Sequence, residues 1–451
     1  MPLVFAGLVL LGVFGSSPAL AQELSVTDYA IEQFGKPPPV PSGPLPKDLQ
    51  TAVRITFIES VEHSTWGRDQ TIALGDIAES SDPRVVWLIA DMMRFTWQPE
   101  LHASLATAAG QLLQIEFETI EHWGEITDHL IAWNIPLFPG YLEAKRAIFT
   151  KFVPGWERIF VEGDIDWRLV SWGGVLIDDR AFDPDELCNC IPAADNPEVT
   201  SAAQATWLKD DDIVFGIEIN GEARAYPRRI MEVREMVNDT LGGRDLGIPY
   251  CTLCGAAQAY FTDQMPEGVE RPVLRTSGLL IRSNKVMYDV NTYSVFDTFL
   301  GNAVTGPLAE KGIKLKQASV VTTDWASWKK AHPKTTVLVE DLALGRDFDF
   351  RNGRDAEGPI FPIGDLDPRL TVHEDVIGVV TASGKPVAFQ RSKAMAALQA
   401  GEKIAFENIR LELEAGGVKA VNHDGSDVGS HQAFWFAWSQ FYPGTELWPK
   451  N

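Results

Sequence analysis

Ile213-Val214-Phe215-Gly216-Ile217-Glu218-Ile219-Asn220-Gly221-Glu222-Ala223-Arg224-Ala225-Tyr226 is the stretch on which the fold turns. Val214 to Gly221 alternates and ends in Asn-Gly, the strongest short-range signal for a two-residue hairpin turn. Ala223 to Tyr226 reads as the returning strand. Pro227 then opens a helix whose apolar positions Ile230, Val233 and Val237 recur at helical spacing, with Asn238-Asp239 and Gly242-Gly243 closing it.

The same grammar returns downstream. Asp375-Val376-Ile377-Gly378-Val379 through Gly384 to Ala388-Phe389 repeats the hairpin with one extra residue in the turn. Trp325-x-x-Trp328-x-x-x-His332-Pro333-x-Thr335 recurs as Trp435-x-x-Trp438-x-x-x-Tyr442-Pro443-x-Thr445 at identical spacing. Two Trp three positions apart share a helix face, so these read as core anchors packed on a sheet rather than ligand-stacking rings. The halves span residues 205–338 and 371–447.

Upstream, residues 47–160 read as helices. Asp82-Pro83 is an N-cap followed by proline, and Val85, Val86, Leu88, Ile89, Met92 and Met93 fall on one face. Gln98-Pro99 opens a second helix running to Leu113, and Trp123 to Trp133 a third. Paired short helices suggest a HEAT-like array that could recruit a protein partner. The expected fold class is therefore α+β: an N-terminal all-helical, HEAT-like region, then a mixed β-rich domain of two related halves over residues 166–447.

Residues 1–21 carry no charged side chain, run apolar from Leu3 to Phe14 and end in Ser17-Pro18-Ala19-Leu20-Ala21. Small residues at −3 and −1 relative to a cut before Gln22 make this a signal-peptide pattern, and a periplasmic or secreted address is expected. Residues 22–46 form a lead and linker, with six prolines among the eleven residues from Lys36 to Pro46. No later run reaches the length of a membrane span. The formal net charge of −23 disfavours nucleic acid, whose phosphates such a surface repels.

Only the first half carries an insert, Tyr250-Cys251-Thr252-Leu253-Cys254-Gly255, two thiols on what reads as a strand, a tight turn and a strand. Two such sulfurs can exchange thiols, close a disulfide, or form half of a tetrahedral site for zinc, iron or copper. Cys188 and Cys190 complete the complement of four cysteines. They are candidates to finish a metal site, to pair with each other or to pair with the first two. Arg224, Arg228, Arg229 and Arg234 cluster in an otherwise acidic chain, and a nearby cation would favour a thiolate at Cys251. No Gly-x-Ser-x-Gly elbow, P-loop or dinucleotide fingerprint is present. Asp347 to Gly353 departs from an EF-hand loop, since Arg351 stands where an oxygen ligand belongs.

Five ordered motifs carry a resemblance. Asn220-Gly221-x-Ala223-Arg224-Ala225-Tyr226-Pro227, Glu235-x-Val237-Asn238-Asp239, Tyr250-Cys251-x-Leu253-Cys254-Gly255, Ser277-Gly278-Leu279 and Ser283-Asn284-x-Val286-Met287-Tyr288-Asp289 resemble the bacterial family known as domain of unknown function 3179. The chain's ending, Phe434-Trp435-Phe436-Ala437-Trp438, is similar to that family's C-terminal motif. The family pattern usually has Trp-His-Glu where this chain has Val233-Arg234-Glu235, and Cys-Pro-Leu-Cys-Gly where Thr252 replaces the proline. Arginine cannot replace a ligating histidine, being always protonated. The resemblance implies a domain rather than a named activity. With the thiols it points to Cys251, Cys254, Arg234 and Asp289 as reacting groups and to Asn238, Asp239, Asn284 and Tyr288 as ligand-binding neighbours. The alternative expectation is a non-catalytic binding or scaffold protein whose cysteines are structural.

Overall fold

The computed structural model describes residues 26–117, 122–181, 188–339 and 358–450. The signal-peptide pattern at 1–21 and the Asp347–Gly353 loop lie outside the described residues.

The two hairpins form as read, and each nucleates a sheet of the same plan. Strand Ile213–Ile219 pairs antiparallel with Glu222–Pro227, and Asn220 and Gly221 take the positive φ (53° and 82°) that a two-residue turn needs. Val321–Asp324 adds antiparallel on one side, and Thr336–Leu338 adds parallel on the other. In the second copy, Asp375–Val380 pairs with Pro386–Gln390, flanked by antiparallel His431–Phe434 and parallel Glu446–Trp448. Each copy buries a Trp ring on a strand glycine. A Cβ on Gly216 would lie 2.2 Å from Trp328 Cζ3, and one on Gly378 would lie 2.0 Å from Trp438 Cζ3. Trp328 Nε1 donates to Thr335 Oγ1 at 3.0 Å and Trp438 Nε1 to Thr445 Oγ1 at 2.9 Å, so the repeated threonine satisfies the buried indole in both.

These are two of five small sheets, of three to six strands, in a propeller-like arrangement. This corrects the expected α+β architecture, as does the N-terminal region. That region holds only short helices, the longest being Pro99–Leu113 with 15 residues, and no HEAT-like array. In a solenoid each repeat touches only its neighbours. Here the helix Val86–Met93 is buried at all eight positions, Trp87, Ala90 and Asp91 included, and the helices Pro99–Leu113, His122–Ala132 and Tyr141–Phe152 pack around it. Burial all round, rather than on one face, marks a central helix. A cluster produces no concave array face.

Asn238 and Asp239 correct a second expectation. They lie within the strand Met236–Leu241, because the helix Arg228–Arg234 stops one turn early at Glu235, which takes a left-handed φ of 50°. The helical cluster and the strands share one core running from Leu45 to Val304. Lys145 Nζ donates to Val170 O at 2.6 Å and Trp156 Nε1 to Ser277 O at 2.7 Å across that seam. No helix among the described residues is long and apolar enough to cross a membrane.

Candidate functional site: a buried dithiol on a strained turn

The strand Arg244–Cys251 runs through the six-stranded sheet and delivers Cys251 at its end. The chain turns through Thr252–Gly255 and pairs back, Cys251 against Ala256. Gly255 sits at φ 60°, and the ring of Phe434 occupies the place a Cβ would need, with Cζ 2.8 Å away. Phe434 N–H also donates to Cys254 O at 2.9 Å, so the thiol turn is clamped by the second hairpin sheet.

Cys251 and Cys254 are both free and buried. Their sulfurs converge on one acceptor. Ser283 O lies 3.7 Å from Cys251 Sγ and 3.6 Å from Cys254 Sγ, and Asn284 Oδ1 lies 3.5 Å from Cys254 Sγ. Burial pushes the Cys251 thiol up, and the charge of Glu235 adds to that. The Cys254 thiol and the backbone N–H groups of Lys285 and Cys254 outweigh both, leaving Cys251 below its ordinary value.

Backbone strain gathers here. Arg282 (φ 45°) and Ser283 (φ 70°) form a two-residue turn between Ile281 and Asn284, with neither glycine nor asparagine to relieve it. Glu235 is the third left-handed residue. Such conformations cost of order 1–3 kcal/mol each and persist where surrounding structure enforces them. The enforcement is visible. Glu235 O accepts from Tyr250 N at 2.9 Å and from Lys285 Nζ at 2.5 Å. Its carboxylate lies 3.4 Å from Lys285 Nζ and accepts from Thr252 Oγ1 at 3.1 Å. Burial pulls the Lys285 ammonium down, while Glu235 and the Cys251 thiolate hold it up. Ser283 Oγ is buried with no hydrogen-bond partner among the described residues. Next to the turn is a cavity of about 170 Å³, lined by Glu235, Thr252, Leu253, Ser277, Lys285 and Phe361.

Of the neighbours expected from sequence, Asn284 joins the thiols. Arg234 turns to Pro192 O at 3.4 Å. Asp289 caps its own turn, accepting from Val273 N at 2.8 Å and Thr292 N at 3.0 Å. Asn238 stitches two strands, donating to Asp195 Oδ1 and Leu274 O and accepting from Leu274 N. Asp239 is held by Arg224 at 2.6 Å and by Tyr226 OH at 2.7 Å. Tyr288 OH donates to Asp178 O at 2.6 Å, its phenol pushed up chiefly by burial. The cation facing Cys251 is thus Lys285, a residue the sequence reading passed over. Its signal was the single cation inside the buried strand Asn284–Asp289.

The four cysteines do not make one metal site. Cys188 and Cys190 are joined in a disulfide. Asp178 lies with them, ligand atoms within 4.8 Å of one another, the one such group among the described residues. Its carboxylate is already taken by Arg180 Nε at 2.7 Å and Ala193 N at 2.8 Å, so these residues fit a resident ion poorly. Cys251 and Cys254 supply two of the four donors that zinc or iron would need.

No curated protein and no solved structure matches this chain. One family model does, over residues 188–424 of 451. That span holds both thiols, the strained turn, Glu235 and Lys285, and the chain belongs to the family described as protein of unknown function (DUF3179).

Proposed function

We propose that Cys251 and Cys254 are a redox-active pair that cycles between dithiol and disulfide, in an exported protein. The observation that carries this reading is the convergence of two free, buried sulfurs on the single carbonyl of Ser283, with Cys251 tuned toward the thiolate. The thiolate is the nucleophile in exchange. Cys251 attacks one sulfur of a small disulfide RS–SR′ and expels R′S⁻, which takes a proton. Cys254 then gives up its proton and attacks Cys251 Sγ, releasing RS⁻, which is protonated in turn. Two electrons pass from the protein to the small disulfide, and a Cys251–Cys254 bond is formed. Thr252 and Leu253, which flank the sulfurs and line the adjoining cavity, offer the approach.

A soft-metal reading has one observation of its own. The N–H groups of Lys285 and Cys254 directed at Cys251 Sγ would also stabilise a metal-bound thiolate, and two sulfurs suit copper(I) better than zinc or iron. One experiment separates the two. Protein purified without oxygen is equilibrated in glutathione buffers of graded potential, alkylated and weighed, with metal content measured in parallel. The redox reading expects two alkylated thiols in reducing buffer, none in oxidising buffer, a single two-electron midpoint and loss of the transition in Cys251→Ser. Stoichiometric copper or zinc that disappears in that variant, with no Cys251–Cys254 disulfide at any potential, sinks it.

A further inference from the structure

The turn that faces the sulfurs carries more strain and fewer hydrogen bonds than a passive connection needs. Arg282 and Ser283 join the strands Leu274–Ile281 and Asn284–Asp289 through two consecutive left-handed residues, φ 45° and 70°. Ser283 Oγ and Arg282 Nε are both buried with no hydrogen-bond partner among the described residues. Left-handed residues that carry a Cβ and buried polar groups left unpaired are each costly. The Ser283 carbonyl, for its part, accepts only from sulfur among the described residues. Cys254 Sγ lies at 3.6 Å and Cys251 Sγ at 3.7 Å.

The same turn grips the C-terminal helix Trp435–Phe441. Arg282 Nη1 donates to Gln440 O at 3.2 Å and to Gln440 Oε1 at 2.9 Å, near the end of that helix. At its start, Phe434 N–H donates to Cys254 O at 2.9 Å. The helix is therefore held at both ends by the two turns that meet at the sulfurs. Gln440 and Phe441 are half-buried and Pro443 and Gly444 exposed, so its far end reaches the surface.

We propose that the Arg282–Ser283 turn is a redox switch, an inference that rests on reading Cys251 and Cys254 as a redox pair. The dithiol holds the turn in its strained form. Closing the disulfide releases it, and with it the grip of Arg282 on Gln440. The reason lies in the donors. Each thiol offers one S–H to the Ser283 carbonyl. On oxidation both protons leave with two electrons, and the small disulfide that accepts them becomes two thiols. The Cys251–Cys254 disulfide has no hydrogen to donate. The carbonyl is then buried and unpaired, on a turn that already carries two left-handed residues and two unpaired side-chain groups. Rearrangement of the turn lets all three groups find new partners, water included, and turns the state of a buried pair into a change at the surface.

Hydrogen exchange followed by mass spectrometry tests this on the full chain, in glutathione buffers that leave the pair reduced or oxidised. The control is Cys251→Ser/Cys254→Ser, whose hydroxyls still donate to the Ser283 carbonyl and cannot form the disulfide. In the oxidised wild type, amides of residues 282–286 and of the helix Trp435–Phe441 should exchange at least about fivefold faster than in the reduced protein. Strand Ile213–Ile219 should be unchanged, and the control should exchange like reduced wild type in both buffers. A disulfide mapped to Cys251 and Cys254 with equal exchange in both states overturns the switch and leaves the redox pair standing. Faster exchange of the control in oxidising buffer also overturns it. No such disulfide at any potential sinks the redox reading and the switch together.

Discussion

At Cys251 several opposing influences meet within one turn. Burial and the Glu235 carboxylate favour the thiol, and three hydrogen bonds favour the thiolate and prevail. Glu235 is the one of these that a conservative change can remove. Glu235→Gln keeps an oxygen for Thr252 Oγ1 and the backbone carbonyl for Lys285 Nζ, yet deletes the negative charge beside the sulfur. The Cys251 thiol should titrate lower still. Its alkylation by iodoacetamide at pH 6.5 should run roughly three- to tenfold faster than in wild type. A slower reaction would mean that Glu235 acts on Cys251 by holding the turn rather than by charge. The cysteine spacing and Gly255 were legible as a turn from local chemistry alone. Lys285 was not, because nothing within a few residues reveals that Lys285 and Glu235 lie side by side.

The hairpin-plus-Trp element recurs because its parts are local. Asn220-Gly221 sets one turn, and each Trp-x-x-Trp helix lays an indole over a glycine of the strand beside it. Gly216→Ala or Gly378→Ala would drive a methyl into Trp328 or Trp438, whose rings leave 2.2 Å and 2.0 Å for a Cβ. Each should destabilise by about 2–4 kcal/mol, read from urea midpoints at unchanged slope. Gly221→Ala, with open space around it but a φ of 82°, isolates the backbone contribution. If Gly216→Ala costs no more than Gly221→Ala, the ring-on-glycine clamp is not what holds the element. What local pattern misread was the helix Arg228–Arg234, extended too far on the strength of Val237. Pairing of Val237 with Ile248 across the sheet outweighed a helical period.

Across the whole molecule, one carboxyl ties the helical cluster to the segment just ahead of the second hairpin half. Asp128 Oδ1 accepts Ile363 N and Gly364 N, both at 2.8 Å. Burial pushes this carboxyl up to about 6, those N–H groups pulling against it and the charge of Glu125 adding to it, from an ordinary value of 3.8. The folded state therefore binds the proton more tightly than the unfolded chain. The stability this contributes is fully present below about pH 4 and is lost as pH rises through 6. Asp128→Asn keeps the accepting oxygen and has no charge to bury. It should raise stability at pH 7.5 by about 1–3 kcal/mol and leave it unchanged at pH 4, measured by urea denaturation at both values. An equal effect at the two pH values would show that folding leaves the proton affinity of this carboxyl unchanged.

By itself the sequence determined what neighbouring residues decide: two hairpins, their Trp-bearing helices, the Cys-x-x-Cys turn and the family to which these motifs belong. Alternation, turn chemistry and helical spacing act over fewer than a dozen residues, so they can be read along the chain. The tertiary structure alone decided the rest. Burial of the helix Val86–Met93 on every side made a cluster where an array was expected. The left-handed turn at Arg282 and Ser283 brought one carbonyl to both sulfurs, 32 and 29 residues away in sequence. Cys188 closed on Cys190 rather than on the thiol turn, and Arg234, Asp239 and Asp289 went to structural partners. Which groups meet across such separations depends on how sheets and helices exclude water together, and that is a property of the packed molecule rather than of any stretch of it.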